Sequence, residues 1–290
     1  MKYFYYPGCS LEGTAMEYDH AARAVLAALG VELMEVKDWT CCGASAADAI
    51  SHLLSMVLPA RNLALAEQTN SQADFLIPCS ACYLNLRKVD DHLQRDHNLA
   101  ARINSVLGEE GLTYHGGMKV RHLLDVLAND IGAEGLQGKV TKPLTGLRIV
   151  PYYGCQALRP YGTFDDPEQP RSMEALITAL GAEVFPWTMG AKCCGAGLMT
   201  TKKPVALQAA SELLMAARGA DAIVTVCPMC QMNLDSFQKG ATRLRGEDLS
   251  ISVLYLPQLM GLAMGLGRET VKLNQNMAVT AAFRARVGQG

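Results

Sequence analysis

The chain has 290 residues, half of them apolar, and a net charge of -2 with its Lys and Arg residues dispersed, which excludes a nucleic-acid footprint or an anionic-membrane patch as the basis of its action. That length accommodates two domains of ordinary size, each able to bury a core of its own. The amino terminus reaches Pro7-Gly8-Cys9 before an apolar signal core forms, and no apolar run approaches the roughly 18 residues that span a bilayer, so the sequence reads as that of a cytoplasmic protein without a membrane span.

In chain order, residues 3–6 read as a strand that ends at Cys9, and 15–29 as an Ala/Leu-rich helix stopped by Gly30. A second strand over 31–36 leads to Cys41-Cys42-Gly43. Pro59 is expected to interrupt the helical stretch that follows. A third strand, 75–77, runs into Cys79-Ser-Ala-Cys82. Gly132, Gly135, Gly138, Pro143 and Gly146 then break both helical and strand patterns, which sets the expected domains at 1–142 and 143–290.

The order then repeats. Strand 148–153 precedes Cys155, strand 183–185 precedes Cys193-Cys194-Gly195, Pro204 sits where a helix can begin, and strand 222–226 precedes Cys227-Pro-Met-Cys230. The segments between the cysteine motifs are 31 and 36 residues in the first copy and 37 and 32 in the second, and no cysteine lies outside the two sets. Asn85-Leu86 and Asn233-Leu234 fall at the same distance past each Cys-x-x-Cys. The stretch 256–266, with Met260 and Met264, reads as core or a subunit contact. Strands alternating with helices predict an α/β chain of two pseudo-repeated Rossmann-like domains with parallel sheets, the cysteines meeting at the carboxyl ends of the strands.

Five is an odd number and adjacent cysteines pair with strain, which argues against structural disulfides. Zinc takes four ligands and leaves a fifth thiol over in each half. A lone thioredoxin-type pair leaves three cysteines of each set idle. Iron with sulfide is the better chemical fit, although the ferredoxin run C-x2-C-x2-C-x3-C is absent. The six histidines, at 20, 52, 92, 97, 115 and 122, form no ligand motif, and most of them read as surface or helix residues. Lys192 and Arg159, close in sequence to cysteines, are candidates for attracting an anion.

The stretch Tyr6-Pro-Gly-Cys-Ser-Leu-Glu-Gly-Thr-Ala15, with Glu17-Tyr18-Asp19 and Asp38-Trp-Thr-Cys-Cys-Gly-Ala44, resembles the family of heterodisulfide reductase B-type subunits, a tandem CCG cysteine-rich group with bacterial members. Pro151-Tyr-Tyr-Gly-Cys155 and Leu158-Arg159-Pro160 resemble its second half. The resemblance covers most of the chain and weakens after about residue 267. It implies two noncubane 4Fe-4S clusters, one held by Cys9, Cys41, Cys42, Cys79 and Cys82 and the other by Cys155, Cys193, Cys194, Cys227 and Cys230. It further implies a catalytic subunit that reduces or forms a disulfide or related sulfur bond, on a disulfide or lipoyl-type substrate, with each cluster supplying one of the two electrons. The expected partners are a ferredoxin-like C-type subunit and a flavoprotein A-type subunit. The alternatives are an iron-sulfur subunit of a lactate or glycolate oxidising system and a non-catalytic electron relay.

Overall fold

Short apolar runs punctuated by Gly and Pro form eight strands in the computed structural model, which describes residues 1–44, 46–69 and 72–288. The first sheet consists of β1 (Lys2–Tyr5), β2 (Glu32–Glu35), β3 (Asp74–Ile77) and β4 (Val120–His122). The second consists of β5 (Arg148–Tyr152), β6 (Glu183–Val184), β7 (Ala222–Thr225) and β8 (Ser252–Tyr255). Their spatial orders are β2-β1-β3-β4 and β6-β5-β7-β8, and every pairing is parallel. The expected α/β architecture of two repeated parallel sheets is therefore the observed one. In each sheet the chain moves outward from the first strand, then returns to its other side. That reversal opens a crevice beyond the carboxyl ends of β1 and β3, and of β5 and β7.

Two strands escape the sequence reading. β4 is only Val120-Arg121-His122, all buried, so it shows no alternation of apolar and polar residues. β8 runs without a break into the helix Leu256–Ala263, which hides its boundary. Pro59 does not interrupt its helix, which is continuous over His52–Glu67. Pro59, Met56, Ala60, Leu63 and Ala64 of that helix are all buried, and this packing outweighs the loss of one backbone hydrogen bond. Pro204 does open the helix Lys203–Ala216.

The halves are joined by packing. Helix Met16–Ala28 lies against helix Leu256–Ala263, so the apolar stretch 256–266 is core. Every residue from Leu256 to Ala263 is buried, and a methyl group at Gly261 would come within 2.4 Å of Val271 Cγ1. The Ala263 carbonyl also accepts the amides of Thr141 and Lys142 at 3.0 and 2.8 Å. Within the first half, Arg121 ties β4 to Asp74 of β3 and to Asp125 and Asp130, so this buried guanidinium is paired with carboxylates rather than left alone.

Tyr18 makes the most specific connection. Its ring stacks on Tyr255 with centroids 4.1 Å apart and planes 5° from parallel. Its buried hydroxyl reaches the carbonyl of Pro78 at 3.0 Å and that of Val226 at 3.1 Å. Those carbonyls immediately precede Cys79 and Cys227, so one side chain fixes the ends of β3 and β7 relative to each other. Tyr18→Phe keeps the stacking but removes the donor shared by the Pro78 and Val226 carbonyls, the latter still reached by Ser80, a loss of about 1–3 kcal/mol. Thermal unfolding should show a midpoint lower by several degrees, at about 2–4 °C per kcal/mol for a chain of this size; an unchanged midpoint would show that the hydroxyl does not hold the halves together.

Two nests of five thiols as the candidate functional site

The two cysteine sets occupy the same address in the two sheets. Cys9 follows β1, Cys41 and Cys42 follow β2, and Cys79 caps the helix Ser80–Arg95 that carries Cys82. Cys155, Cys193, Cys194 and Cys227 repeat this after β5, β6 and β7, with Cys230 in the helix Pro228–Ser236. All ten are free thiols. In each nest three are buried, Cys42, Cys79 and Cys82 or Cys194, Cys227 and Cys230. The outer pair is Cys9 and Cys41, both exposed, or Cys155, half-buried, and Cys193, exposed.

The sulfurs meet in pairs. Cys42 and Cys82 are 3.3 Å apart, Cys194 and Cys230 3.5 Å, and Cys9 and Cys41 3.6 Å, well beyond the roughly 2.05 Å of a disulfide. Among the described residues, no three His, Cys, Asp or Glu side chains are arranged to hold a single metal ion.

Repeated second contacts hold each nest in shape. Tyr6 donates to the carbonyl of Thr40, and Tyr152 to that of Lys192, both at 2.8 Å; each carbonyl lies just before a Cys-Cys-Gly. Trp39 and Trp187 pack edge-on against these two tyrosines. Asn85 and Asn233 donate to the carbonyls of Cys42 and Cys194 at 3.1 and 2.7 Å, which gives the repeated Asn-Leu pairs of the sequence a structural task. Gly8 and Gly154, at φ +73° and +70°, bring the backbone against the innermost sulfurs. A Cβ at either would lie 3.0 Å from Cys82 Sγ or Cys230 Sγ, a position that glycine alone occupies without strain.

Crowding makes the thiols share protons. The Cys42 thiol is held well below its ordinary range, first by the hydrogen bond from Cys41 and then by that from Cys82, while Cys41 is pushed up chiefly through the same bond to Cys42. Cys82 and Cys230 are pushed up, first by their bonds to Cys42 and Cys194. Cys227 is drawn down to about 7, first by Cys230. Cys193 is drawn down to about 6 by its bond with Cys155, by the Gly195 amide 3.3 Å away and by the charge of Arg159. Such a nest suits a group that brings positive charge to several sulfurs at once. A donor set of five soft thiolates, a glycine cradle beneath them and helix N-termini behind them fit an iron-sulfur cluster.

Arg159 is less free than its sequence position implies. It binds the carbonyls of Ala191 and Pro167 and the carboxylate of Glu168, and so acts on Cys193 through its charge. An open cleft of about 980 Å³, lined by the segment from Met34 to Cys41 together with Glu12, reaches the outer thiol of the first nest. His122 departs from the expectation of surface histidines. It is fully buried, and burial draws its pKa down to about 4, leaving a neutral ring. Tyr18, Ser80 and His122 beside the nests carry no repeat or spacing signal; Tyr6 and Tyr152 do, each three residues before the first cysteine of its set.

The profile of the CCG cysteine-rich domain matches residues 3–87 and again 149–235, so the chain belongs to the CCG cysteine-rich domain family, as a tandem pair. Within that family it groups with the B-type subunits of heterodisulfide reductases. It is 30% identical to the B-type subunit of the ferredoxin/F(420)H(2)-dependent CoB-CoM heterodisulfide reductase of Methanosarcina acetivorans, over 97% of this chain and 95% of that one. It is 37% identical to the 8-methylmenaquinol:fumarate reductase membrane anchor subunit of Wolinella succinogenes, over 95% of this chain and 96% of that one. No helix of the described residues is long and apolar enough to cross a membrane. A crystal structure of a hypothetical protein from Helicobacter pylori shares the fold, with a TM-score of 0.78 at 14% identity over 97% of this chain; this chain spans 52% of that protein's length.

The proton sharing has a direct test. In the metal-free, reduced chain, Cys9 and Cys193 should be alkylated before the six buried cysteines, as read by peptide mass spectrometry. A lowered thiol pKa leaves thiolate present above it, so Cys193 labelling should persist down to about pH 6 and fall below that. Cys41, held protonated, should label only in alkali. Buried cysteines reacting first would contradict the arrangement.

Proposed function

We propose that the chain is an iron-sulfur subunit of a heterodisulfide-reductase-like oxidoreductase, cleaving or forming a disulfide or related sulfur bond. Supporting this most directly is the duplicated nest: the same five thiols, tyrosine, asparagine and glycine recur at the crevice of each sheet, and Tyr18 ties the two crevices together. Cys9, Cys41, Cys42, Cys79 and Cys82 would hold one noncubane 4Fe-4S cluster, and Cys155, Cys193, Cys194, Cys227 and Cys230 the other. Clusters of this kind supply one-electron transfer and iron sites with affinity for soft sulfur.

The chain's own residues divide the remaining work. The buried cysteines fix each nest and keep water from its inner face, whereas the outer pairs stand where another molecule can approach. The cleft beside Cys41 gives a thiol-bearing substrate room to reach the first nest. Asn85 and Asn233 hold the Cys-Cys-Gly turns, keeping adjacent thiols from collapsing onto each other. Because two electrons cleave one disulfide, both halves are needed together. Electrons enter from a ferredoxin-like subunit that is itself served by a flavoprotein, in keeping with relatives that are subunits of larger reductases.

A second reading follows from the 37% identity to the fumarate reductase subunit of Wolinella succinogenes. In that reading the chain is a relay in a quinol-linked complex and acts on no disulfide.

Anaerobic metal analysis should find about eight iron atoms per chain and no stoichiometric zinc; zinc without iron would sink the proposal. Cys42→Ala and Cys194→Ala should each halve the iron and abolish disulfide turnover by the reconstituted complex. Near-normal turnover by either variant would rule out cooperation between the halves, and an iron-loaded wild-type complex inert toward disulfides would favour the relay.

A further inference from the structure

The two nests match closely, but one position breaks the repeat with chemical consequence. Between the paired cysteines stand Ser80-Ala81 in the first half and Pro228-Met229 in the second. Ser80 is 1% exposed, yet its hydroxyl serves the opposite half. It donates to the carbonyl of Val226 at 3.2 Å, in the peptide that joins Val226 to Cys227. Pro228, with neither a hydroxyl nor an amide hydrogen, returns nothing to the first half.

The direction of the Ser80 proton is set by His122. The Nδ1 of that ring accepts the Leu124 amide at 3.1 Å, so the single proton of the neutral ring sits on Nε2. This Nε2–H faces the Ser80 hydroxyl at 3.2 Å, with the Pro78 carbonyl also within reach. A protonated Nε2 cannot accept, so the Ser80 hydroxyl donates across the interface, to the Val226 carbonyl. The ring is held in place by Phe164 of the second half, stacked 1° from parallel, and by the edge of Tyr83. Tyr18 reaches carbonyls of both halves evenly, at 3.0 and 3.1 Å; Ser80 gives its proton to the second half alone.

We propose that Ser80, oriented by His122, is a positioning residue for the opposite nest: its hydrogen bond to the Val226 carbonyl, in the peptide that leads into the Cys227 ligand, offsets the negative end of that peptide dipole and raises the reduction potential of the second redox centre alone. A hydrogen-bond donor aimed at a peptide carbonyl beside a ligating cysteine lowers the negative potential there and so stabilises the more negative, reduced state of a cluster, and outer contacts of this kind tune such centres. The consequence is that one residue without a counterpart adds to the inequality of two nests with the same ligands, and that a first-half side chain sets a property of the second. This inference rests on the reading that both nests hold clusters.

The test uses the full-length chain, reconstituted anaerobically, in two single-nest backgrounds: Cys42→Ala, which leaves the second nest intact, and Cys194→Ala, which leaves the first. Ser80→Ala and Ser80→Thr are added to each, iron is counted, and the midpoint potential is read by redox titration followed by electron paramagnetic resonance and absorbance. Ser80→Ala should shift the second-nest midpoint to a more negative potential, Ser80→Thr should leave it near that of the parent, and the first-nest midpoint should stay unchanged with either variant. An unshifted second-nest midpoint with iron retained, or equal shifts in both backgrounds, overturns the proposal while leaving the cluster reading intact. Failure of the parent chains to take up iron would instead overturn the cluster reading, and this inference with it.

Discussion

Sulfur atoms held 3.3–3.6 Å apart at the ends of parallel strands govern the structure around them. At that spacing the thiols are too far apart for a disulfide and too close to titrate independently, so a proton on one sulfur is felt by the next. Keeping them there requires backbone that approaches without side chains, at Gly8 and Gly154, and turns pinned from outside, by Tyr6, Asn85 and their counterparts Tyr152 and Asn233. The parallel sheet supplies the place, because its strand order reverses where β1 and β3, or β5 and β7, lie side by side. Each crevice receives sulfur from segments far apart in the chain.

Much of this was legible in the sequence because the cysteines are rare and repeat. Ten thiols at nearly matching intervals reveal the two halves, and the strands just before them follow from short apolar runs that end in Gly or Pro. β4 and β8 were not legible, since a fully buried strand of three or four residues has neither alternation nor a boundary of its own. Pro59 misled because a helix with one face buried, Pro59 on that face, keeps its course through one missing amide. Tyr18, Ser80 and His122 act singly and over long separations, Tyr18 on Val226 and Ser80 on the same carbonyl from the other direction. No periodicity or spacing marks such contacts.

Duplication explains why the halves resemble each other, and the interface between them explains why they are not interchangeable. Two independent modules would turn polar faces toward each other. Here the apolar helix Leu256–Ala263 is buried along its whole length, and Tyr18 and Ser80 send their hydroxyls across to the other half. Relatives named for a heterodisulfide reductase and for a quinol:fumarate reductase match this chain over nearly its whole length, so both halves are common to proteins named for different activities.

If each nest holds a cluster of its own, iron must lie at two places in the chain. Anomalous diffraction from anaerobically grown crystals, with data collected on both sides of the iron absorption edge, locates it without recourse to activity. Two separate iron peaks per chain are expected, one among Cys9, Cys41, Cys42, Cys79 and Cys82 and one among Cys155, Cys193, Cys194, Cys227 and Cys230. A single peak, or iron lying away from these sulfurs, would contradict a cluster in each nest.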